Sequence, residues 1–231
     1  MTETTDSNRR DVLRRVTFAG AGLALTGAGS SHRAEEEGSE EVAPAEDLMR
    51  EHGVLNRVLL VYDEFRRRLS SSRPDLVPAL LTDAAGIIRR FIEDYHEKLE
   101  EDDLFPRFEK AHREVELVKV LRDQHRAGRR LTEEILHLAG GRLSSATERA
   151  RLDAALRKFV VMYRPHEARE DTVLFPAIRR IVSPHEYAAL GEEFEKKERA
   201  LFGQDGFEKI VENVAAIEKR LGIYELAKFT P

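Results

Sequence analysis

The 231-residue chain contains no cysteine and no tryptophan. The absence of cysteine excludes disulfide bonds and thiolate-ligated metals, so any metal centre has to use imidazole and carboxylate ligands. The chain also lacks a run of alternating polar and apolar residues, which argues against β-strands. Basic residues are interspersed with acidic ones, and the net charge is −5. No basic stripe is present, so we predict no nucleic-acid partner.

A long apolar run is missing even near the N-terminus. The apolar segment Val16–Ala28 has 13 residues, whereas a bilayer-spanning helix needs about 20. It follows the twin arginines Arg9 and Arg10, and a basic segment before a short apolar one is typical of an export signal. We predict a Tat-type signal over residues 1–30, export to the periplasm or cell envelope, and no stable membrane span beyond the signal.

Composition and the spacing of apolar residues divide the remaining chain into a linker and a helical region. Residues 31–45 are acidic and lack aromatic side chains, which predicts a disordered linker. From there, apolar residues recur at helical spacing and predict helices over residues 45–70, 75–110, 113–139, 145–182, 184–202 and 206–221. The fold class is therefore all-α. We predict an antiparallel up-down four-helix bundle over residues 46–182 and a C-terminal extension with two extra helices over residues 183–231.

One phrase occurs twice, as "YHEKLEEDDLFP" at residues 95–106 and "PHEAREDTVLFP" at residues 165–176. Both place a glutamate four positions after the histidine, and Leu-Phe-Pro four to six positions after that glutamate. A lone histidine, His52 or His125, lies 44 or 41 positions before each motif histidine. This repetition predicts a duplicated helical hairpin with pseudo-twofold symmetry. Pro106 and Pro176 should kink or end their helices.

The spacing of these residues predicts a metal centre. Residues i and i+4 share one face of a helix, so each motif directs an imidazole and a carboxylate the same way. Buried, unpaired carboxylates cost several kcal/mol, and two divalent cations bridged by the glutamates would remove that penalty. Imidazole with carboxylate suits iron, and also manganese or zinc. The predicted metal ligands are His52, His96, Glu100, His125, His166 and Glu170.

Other residues near the motifs leave alternatives open. Glu97 and Glu167 either support a neighbouring imidazole or lie on the surface. Three tyrosines near the ligand layers either pack or carry oxidising equivalents, namely Tyr62, Tyr95 and Tyr163. The Leu-Phe pairs should close the end of the bundle as core residues: Leu104, Phe105, Leu174 and Phe175. The remaining histidines receive no role: His32, His112, His137 and His185.

The motifs resemble those of the haemerythrin-type, or HHE cation-binding, domain over about residues 45–180. That resemblance implies a four-helix bundle around two non-haem iron ions bridged by carboxylates and an oxo or hydroxo group. The oxygen carriers of the family place a second histidine four residues after the third-helix histidine, where this chain has Arg129. They also place the last acid five residues after its histidine. Here that residue is Asp171, although the repeat symmetry favours Glu170.

The resemblance implies several functions. We expect a non-haem di-iron protein that binds or senses O2 or a related small oxidant in the cell envelope. The alternatives are a di-iron enzyme acting on peroxide or nitric oxide, an iron-handling protein, and a metal-free helical interaction module. With one imidazole fewer than the oxygen carriers, reactivity with oxidants is favoured over reversible O2 carriage. A homodimer through the C-terminal helices is a further expectation.

Overall fold

The computed structural model describes residues 42–71, 76–141 and 143–231. The predicted signal and the predicted linker up to residue 41 lie outside the described residues. Within these three ranges all regular structure is helical, with six helices and one short 3-10 turn, Leu226–Phe229. The all-α class and the six helices are therefore confirmed. Among the described helices, none has both the length and the apolar composition that crossing a bilayer requires.

Four of the helices are regular α-helices: α1 (Pro44–Leu69), α3 (Val115–Ala139), α5 (Pro184–Phe202) and α6 (Gly206–Leu221). The other two, α2 over residues 78–110 and α4 over residues 146–178, contain π-helical turns. Helix α4 ends at Ile178, so the expected end at residue 182 is wrong. The chain leaves the helix there and begins α5 with Pro184, behind the Ser183 cap whose Oγ accepts a hydrogen bond from Glu186 N at 3.2 Å.

The π-helical turns coincide with the repeated motifs. Helix α2 contains the π segments Ile88–His96 and Glu100–Leu104, and α4 contains Glu170–Leu174. Neither helix ends at its motif proline. Each resumes as an α-helix for Phe105–Lys110 and Phe175–Ile178. A proline cannot donate the helical hydrogen bond, and its ring crowds the carbonyl four residues back. The wider π-helical turn before each proline accommodates the ring. Such π turns are frequent at functional sites.

The first four helices contact one another in a closed ring. Helix α1 packs against α2 and α4, and α3 packs against the same two helices. Fully buried aromatic rings fill the interior between them; Tyr62 of α1, for example, meets Phe159 of α4 edge-on at a centroid distance of 5.3 Å. The ring of contacts leaves a single interior, and residues facing inward from all four helices meet there.

The C-terminal extension is joined to this core by apolar packing and by ion pairs. Helix α6 buries Ile210, Val214 and Ile217 on the face that packs against α1 and α2. The buried Glu218 carboxylate accepts two hydrogen bonds from Arg57 of α1, at 2.6 and 3.1 Å. The apolar stripe of α6 is thus covered by the chain's own core.

Candidate metal centre

Four histidines, one from each helix of the ring, meet in the buried interior. The Nε2 atoms of His52 and His96 lie 3.0 Å apart. The rings of His125 and His166 form a second pair at a centroid distance of 5.0 Å. No more than 3% of any of these four residues is exposed. The structure thus places two imidazole pairs together, the first from α1 and α2 and the second from α3 and α4.

The motif glutamates lie between the two imidazole pairs. Glu100 Oε2 is 3.8 Å from Nε2 of His96 on its own helix and 3.3 Å from Nε2 of His125. Glu170 Oε2 is 3.1 Å from Nε2 of His166 on its own helix and 3.4 Å from Nε2 of His52. Each carboxylate therefore contacts one histidine of each pair. This is the arrangement that two cations sharing both carboxylates require.

The unpaired atoms of the cluster fit cations. Glu100 and Glu170 are fully buried, and none of their four carboxylate oxygens has a hydrogen-bond partner among the described residues. The Nε2 atom of His125 is buried without such a partner as well. Two sets of ligand atoms each lie within 4.8 Å of one another: His52, His96 and Glu100, and His125, His166 and Glu170. Imidazole and carboxylate donors of this kind suit divalent iron, manganese or zinc.

The outer nitrogen of every imidazole is held by an acceptor from a neighbouring helix. An acceptor at Nδ1 fixes the tautomer and directs the Nε2 lone pair towards the centre. The four Nδ1 contacts are His52 to Asp171 at 2.7 Å, His96 to Glu51 at 2.8 Å, His125 to Glu101 at 3.1 Å, and His166 to Gln124 at 2.9 Å. The sequence analysis missed these four acceptors. Position in the sequence could have indicated them. Two immediately precede the α1 and α3 histidines, and the other two immediately follow the motif glutamates.

The phenylalanines of the repeated Leu-Phe-Pro stack on ligand-site histidines. Phe105 of α2 lies over His125, with ring centroids 5.6 Å apart and planes at 22°. Phe175 of α4 lies over His52 at 5.4 Å and 25°. Both rings are fully buried, as predicted for core residues. Each motif thus supplies a glutamate, the following acid and a ring to a histidine of the other hairpin, which explains why the whole spacing is kept twice.

Glu97 and Glu167, each next to a motif histidine, are buried rather than on the surface. Their hydrogen bonds go to side chains other than the imidazoles. Glu97 accepts from the hydroxyl of Tyr163 at 2.7 Å, and Glu167 accepts from the Asn56 amide. Burial raises the pKa of Glu97 well above its usual value and that of Glu167 to about 8. They form an outer layer in which Glu97 links α2 to α4 across the bundle and Glu167 links α4 to α1.

Arg129 occupies the position at which the oxygen carriers have an additional histidine. Its guanidinium lies 2.7 Å from Glu97 and 2.8 Å from Glu101. Lys98 also contacts Glu101, at 2.6 Å. Although burial opposes it, hydrogen bonds from His125, Arg129 and Lys98 hold the pKa of Glu101 far below its usual value. Arg129 thus supports the acceptor of His125 Nδ1 and offers no donor atom to a metal.

The three tyrosines named from the sequence are all fully buried. Tyr163 lies closest to the imidazoles, with its ring centroid 5.2 Å from that of His166. It reaches Glu97 by crossing α3 at Gly128, where an added Cβ would lie 2.0 Å from the tyrosine hydroxyl. Only glycine permits this approach, so Gly128 is what allows Tyr163 to contact Glu97.

The buried groups at the centre shift one another's pKa in different directions. Burial and the charge of Glu170 raise the pKa of Glu100 to about 8. Burial acts on Glu170 as well, but the charges of His166 and His52 outweigh it and lower the pKa. Burial and the charge of His52 lower the pKa of His96. Cations entering this cluster must displace protons, so binding weakens as the pH falls.

Comparisons with known proteins agree with the motifs. The profile of the Hemerythrin HHE cation binding domain matches residues 43–178. Similar proteins are an uncharacterized protein of Mycobacterium bovis and uncharacterized proteins of two Mycobacterium tuberculosis strains. Each is 47% identical over 193 residues, which cover 82% of this chain and 74% of the relative. No solved structure matches the chain. The profile covers well over half of the chain, including all four histidines of the cluster, and the chain therefore belongs to the haemerythrin HHE cation-binding domain family.

Proposed function

We propose that this chain is a non-haem di-iron protein that binds or senses O2 or a related small oxidant. The observation that carries the proposal is the pair of buried glutamates. Neither carboxylate has a hydrogen-bond partner in the part of the chain that the structure describes, and each lies within 3.8 Å of a histidine from both hairpins. The proposed ligands are those predicted from the sequence: His52, His96, Glu100, His125, His166 and Glu170. The family's cation-binding character and the donor set support iron, with manganese and zinc as alternatives.

When bound, the two ions would supply redox-active positions for a small oxidant. The protein's own residues orient the imidazole ligands and exclude water. The four Nδ1 contacts keep the imidazoles in one tautomer, the stacked rings of Phe105 and Phe175 fix two imidazole planes, and the surrounding core keeps the cluster dry. A preorganised site of this kind needs no rearrangement when it binds its ions.

A second candidate function is turnover of peroxide or nitric oxide. The presence of Arg129 in place of a further histidine favours it, because each ion then has two imidazoles and shared carboxylates. Fewer protein donors leave more coordination positions for a small ligand. Iron handling belongs to the same set of alternatives, because a poorer ligand set also releases its metal more readily.

We also propose the arrangement and the location that the sequence predicts. The closed ring of helix contacts supports an antiparallel up-down bundle of α1 to α4, with α5 and α6 packed outside it. Arg9 and Arg10 support export by a Tat-type route to the periplasm or envelope. For the homodimer, the extension leaves large apolar side chains exposed, namely Leu201, Tyr224, Leu226 and Phe229.

The oxidant proposal is tested by anaerobic reconstitution with ferrous iron, followed by separate exposure to air, peroxide and nitric oxide. We expect new charge-transfer absorption with at least one of them. His125→Ala should lose this absorption, whereas His137→Ala, which changes an exposed histidine on the same helix, should keep it. A reconstituted protein that stays spectroscopically silent with all three oxidants would refute the proposal.

Repeated additions separate a binder from an enzyme. Binding or sensing predicts one spectral change per chain and no net consumption beyond that of free iron. Catalytic turnover predicts continued consumption of peroxide or nitric oxide that is lost in Glu170→Ala and kept in Glu133→Ala, which changes an exposed carboxylate of α3.

A further inference from the structure

The two halves of the centre differ in the groups that hold their imidazoles. Glu51 and Gln124 occupy matched positions, each directly before the lone histidine of its hairpin. Glu51 Oε2 lies 2.8 Å from Nδ1 of His96, and Gln124 Oε1 lies 2.9 Å from Nδ1 of His166. The geometry is the same, but the first acceptor is a carboxylate and the second is a neutral amide.

The other two acceptors, both carboxylates, increase this difference. Asp171 contacts Nδ1 of His52 at 2.7 Å, and Glu101 contacts Nδ1 of His125 at 3.1 Å. Glu101 also forms ion pairs with Arg129 at 2.8 Å and Lys98 at 2.6 Å. Its negative charge is therefore shared with two cations as well as with the imidazole.

The nature of the acceptor affects how strongly an imidazole binds a metal. A carboxylate that accepts the Nδ1 proton raises the electron density at Nε2, and replacing such a group typically changes metal affinity by about 10–100-fold. Both imidazoles of the His52–His96 pair have a carboxylate acceptor. In the His125–His166 pair, one has an amide and the other a carboxylate compensated by two cations.

We infer that the two positions of the centre are unequal, with the tighter one between His52 and His96 and the weaker, exchangeable one between His125 and His166. Glu51 and Gln124 are the positioning residues that set the difference. The inference rests on the proposed metal centre and deepens it, because it names the position at which a cation is first lost.

The test is a metal titration of the metal-free full chain with Co²⁺, followed by calorimetry and by visible absorption. The wild-type chain should bind two ions in two steps separated by at least about 10-fold in affinity. Gln124→Glu should tighten the weaker step about 10-fold and leave the tighter one in place. Glu51→Gln should weaken the tighter step by a similar factor. Each variant should therefore reduce the difference between the two affinities, Gln124→Glu by tightening the weaker step and Glu51→Gln by weakening the tighter one.

Two control variants change the same charges away from the centre. Glu46→Gln removes an exposed carboxylate from α1, and Gln204→Glu adds one in the turn between α5 and α6. Neither should move either step. Thermal unfolding of each metal-free variant verifies that it folds, and if either Glu51→Gln or Gln124→Glu does not, the other tests the inference by itself. Glu51→Asp keeps the charge and should leave the order of the steps unchanged.

The outcomes separate this inference from the proposed function. If the wild-type chain binds no pair of ions, the proposed metal centre fails. If two ions bind but neither Glu51→Gln nor Gln124→Glu changes the affinity of a step, the metal centre stands and the inequality of its two positions is overturned. The same holds if either substitution increases the difference between the two affinities.

Discussion

The hairpin of α1 and α2 and the hairpin of α3 and α4 build the same centre with different surroundings. Five positions around the centre match: a lone histidine, a motif histidine, the glutamate between the imidazole pairs, the acid that follows it, and a stacking phenylalanine. A sixth position differs, with Glu51 in the first hairpin and Gln124 in the second. One layer further out, matched positions carry unrelated side chains, namely Asn56 and Arg129, Leu55 and Gly128, and Glu93 and Tyr163.

This comparison shows which positions are constrained by the centre and which by packing. The matched histidines form the two imidazole pairs. Every other matched residue contacts an imidazole of the other hairpin. The unmatched residues of the outer layer complete the spaces between helices, and each hairpin fills those spaces with different side chains. On one side Asn56 donates to Glu167, and on the other Arg129 and Tyr163 both contact Glu97.

The largest effect is expected from removing a bridging carboxylate. Glu100→Ala and Glu170→Ala each delete a proposed ligand that both ions would share. Loss of a supporting group can cost about 100-fold in metal affinity, and loss of a shared ligand should cost more than that. Equilibrium dialysis with Fe²⁺ under anaerobic conditions measures the loss. The two variants should lose affinity to a similar extent. A variant that retains both ions would show that the hairpins do not contribute equivalently.

Gly128→Ala should give the next largest effect. The added Cβ would lie 2.0 Å from the Tyr163 hydroxyl, and overpacking of this kind destabilises by about 1–3 kcal/mol. Urea unfolding measures the change. Tyr163→Phe in the same chain should restore part of the loss, because the tyrosine oxygen is the closest atom.

The matched glycine control is Gly53→Ala in α1, where, apart from its chain neighbours and the backbone of its own helix, no atom of the described residues lies within 4 Å of an added Cβ. Alanine is preferred to glycine inside a helix by about 1 kcal/mol, so this variant should be as stable as the wild type or more stable. Equal destabilisation by the two substitutions would contradict the close approach at Gly128.

A pH effect is expected from Glu167. Burial raises its pKa from 4.5 to about 8, so the folded metal-free chain binds this proton more tightly than the unfolded chain. Its contribution to stability is present below pH 4.5 and is lost as the pH rises towards 8. Glu167→Gln keeps an acceptor for Asn56 and removes the titration. The decrease in unfolding temperature between pH 5 and pH 8 should therefore be smaller in the variant, and parallel curves would contradict the assignment.

The smallest effect should come from the stacked rings. Phe105→Leu and Phe175→Leu keep an apolar side chain over the imidazoles and should each cost about 1 kcal/mol of unfolding free energy. Because the two rings stack on matched histidines, the two losses should be similar. Guanidinium unfolding of the metal-free proteins tests this. A large difference would mean that one ring serves packing alone.

The sequence was sufficient for the helices and for the residues that meet in the interior. Helical periodicity located all six helices, and the repeated spacing selected the six side chains that the structure brings together, with Glu170 rather than Asp171 between the imidazole pairs. The helix prediction is confirmed. The six side chains come together because their spacing along each helix is determined by the regular turn.

The supporting groups could not be read from the sequence in the same way. On a regular helix, Glu101 points about 100° away from Glu100, and its contact with His125 depends on where α3 lies. The π turns at Glu100–Leu104 and Glu170–Leu174 further change which residues share a face. Likewise, the approach of Tyr163 to Gly128 joins two helices and leaves no periodic signal.

The central claim is that six side chains from four helices hold two cations close together. Iron K-edge X-ray absorption of the anaerobically reconstituted chain, combined with its iron content, tests this most directly. We predict two iron ions per chain, each with nitrogen and oxygen neighbours, and an iron–iron distance of about 3.5–4 Å. A single isolated iron, or two ions without a short iron–iron distance, would contradict the account.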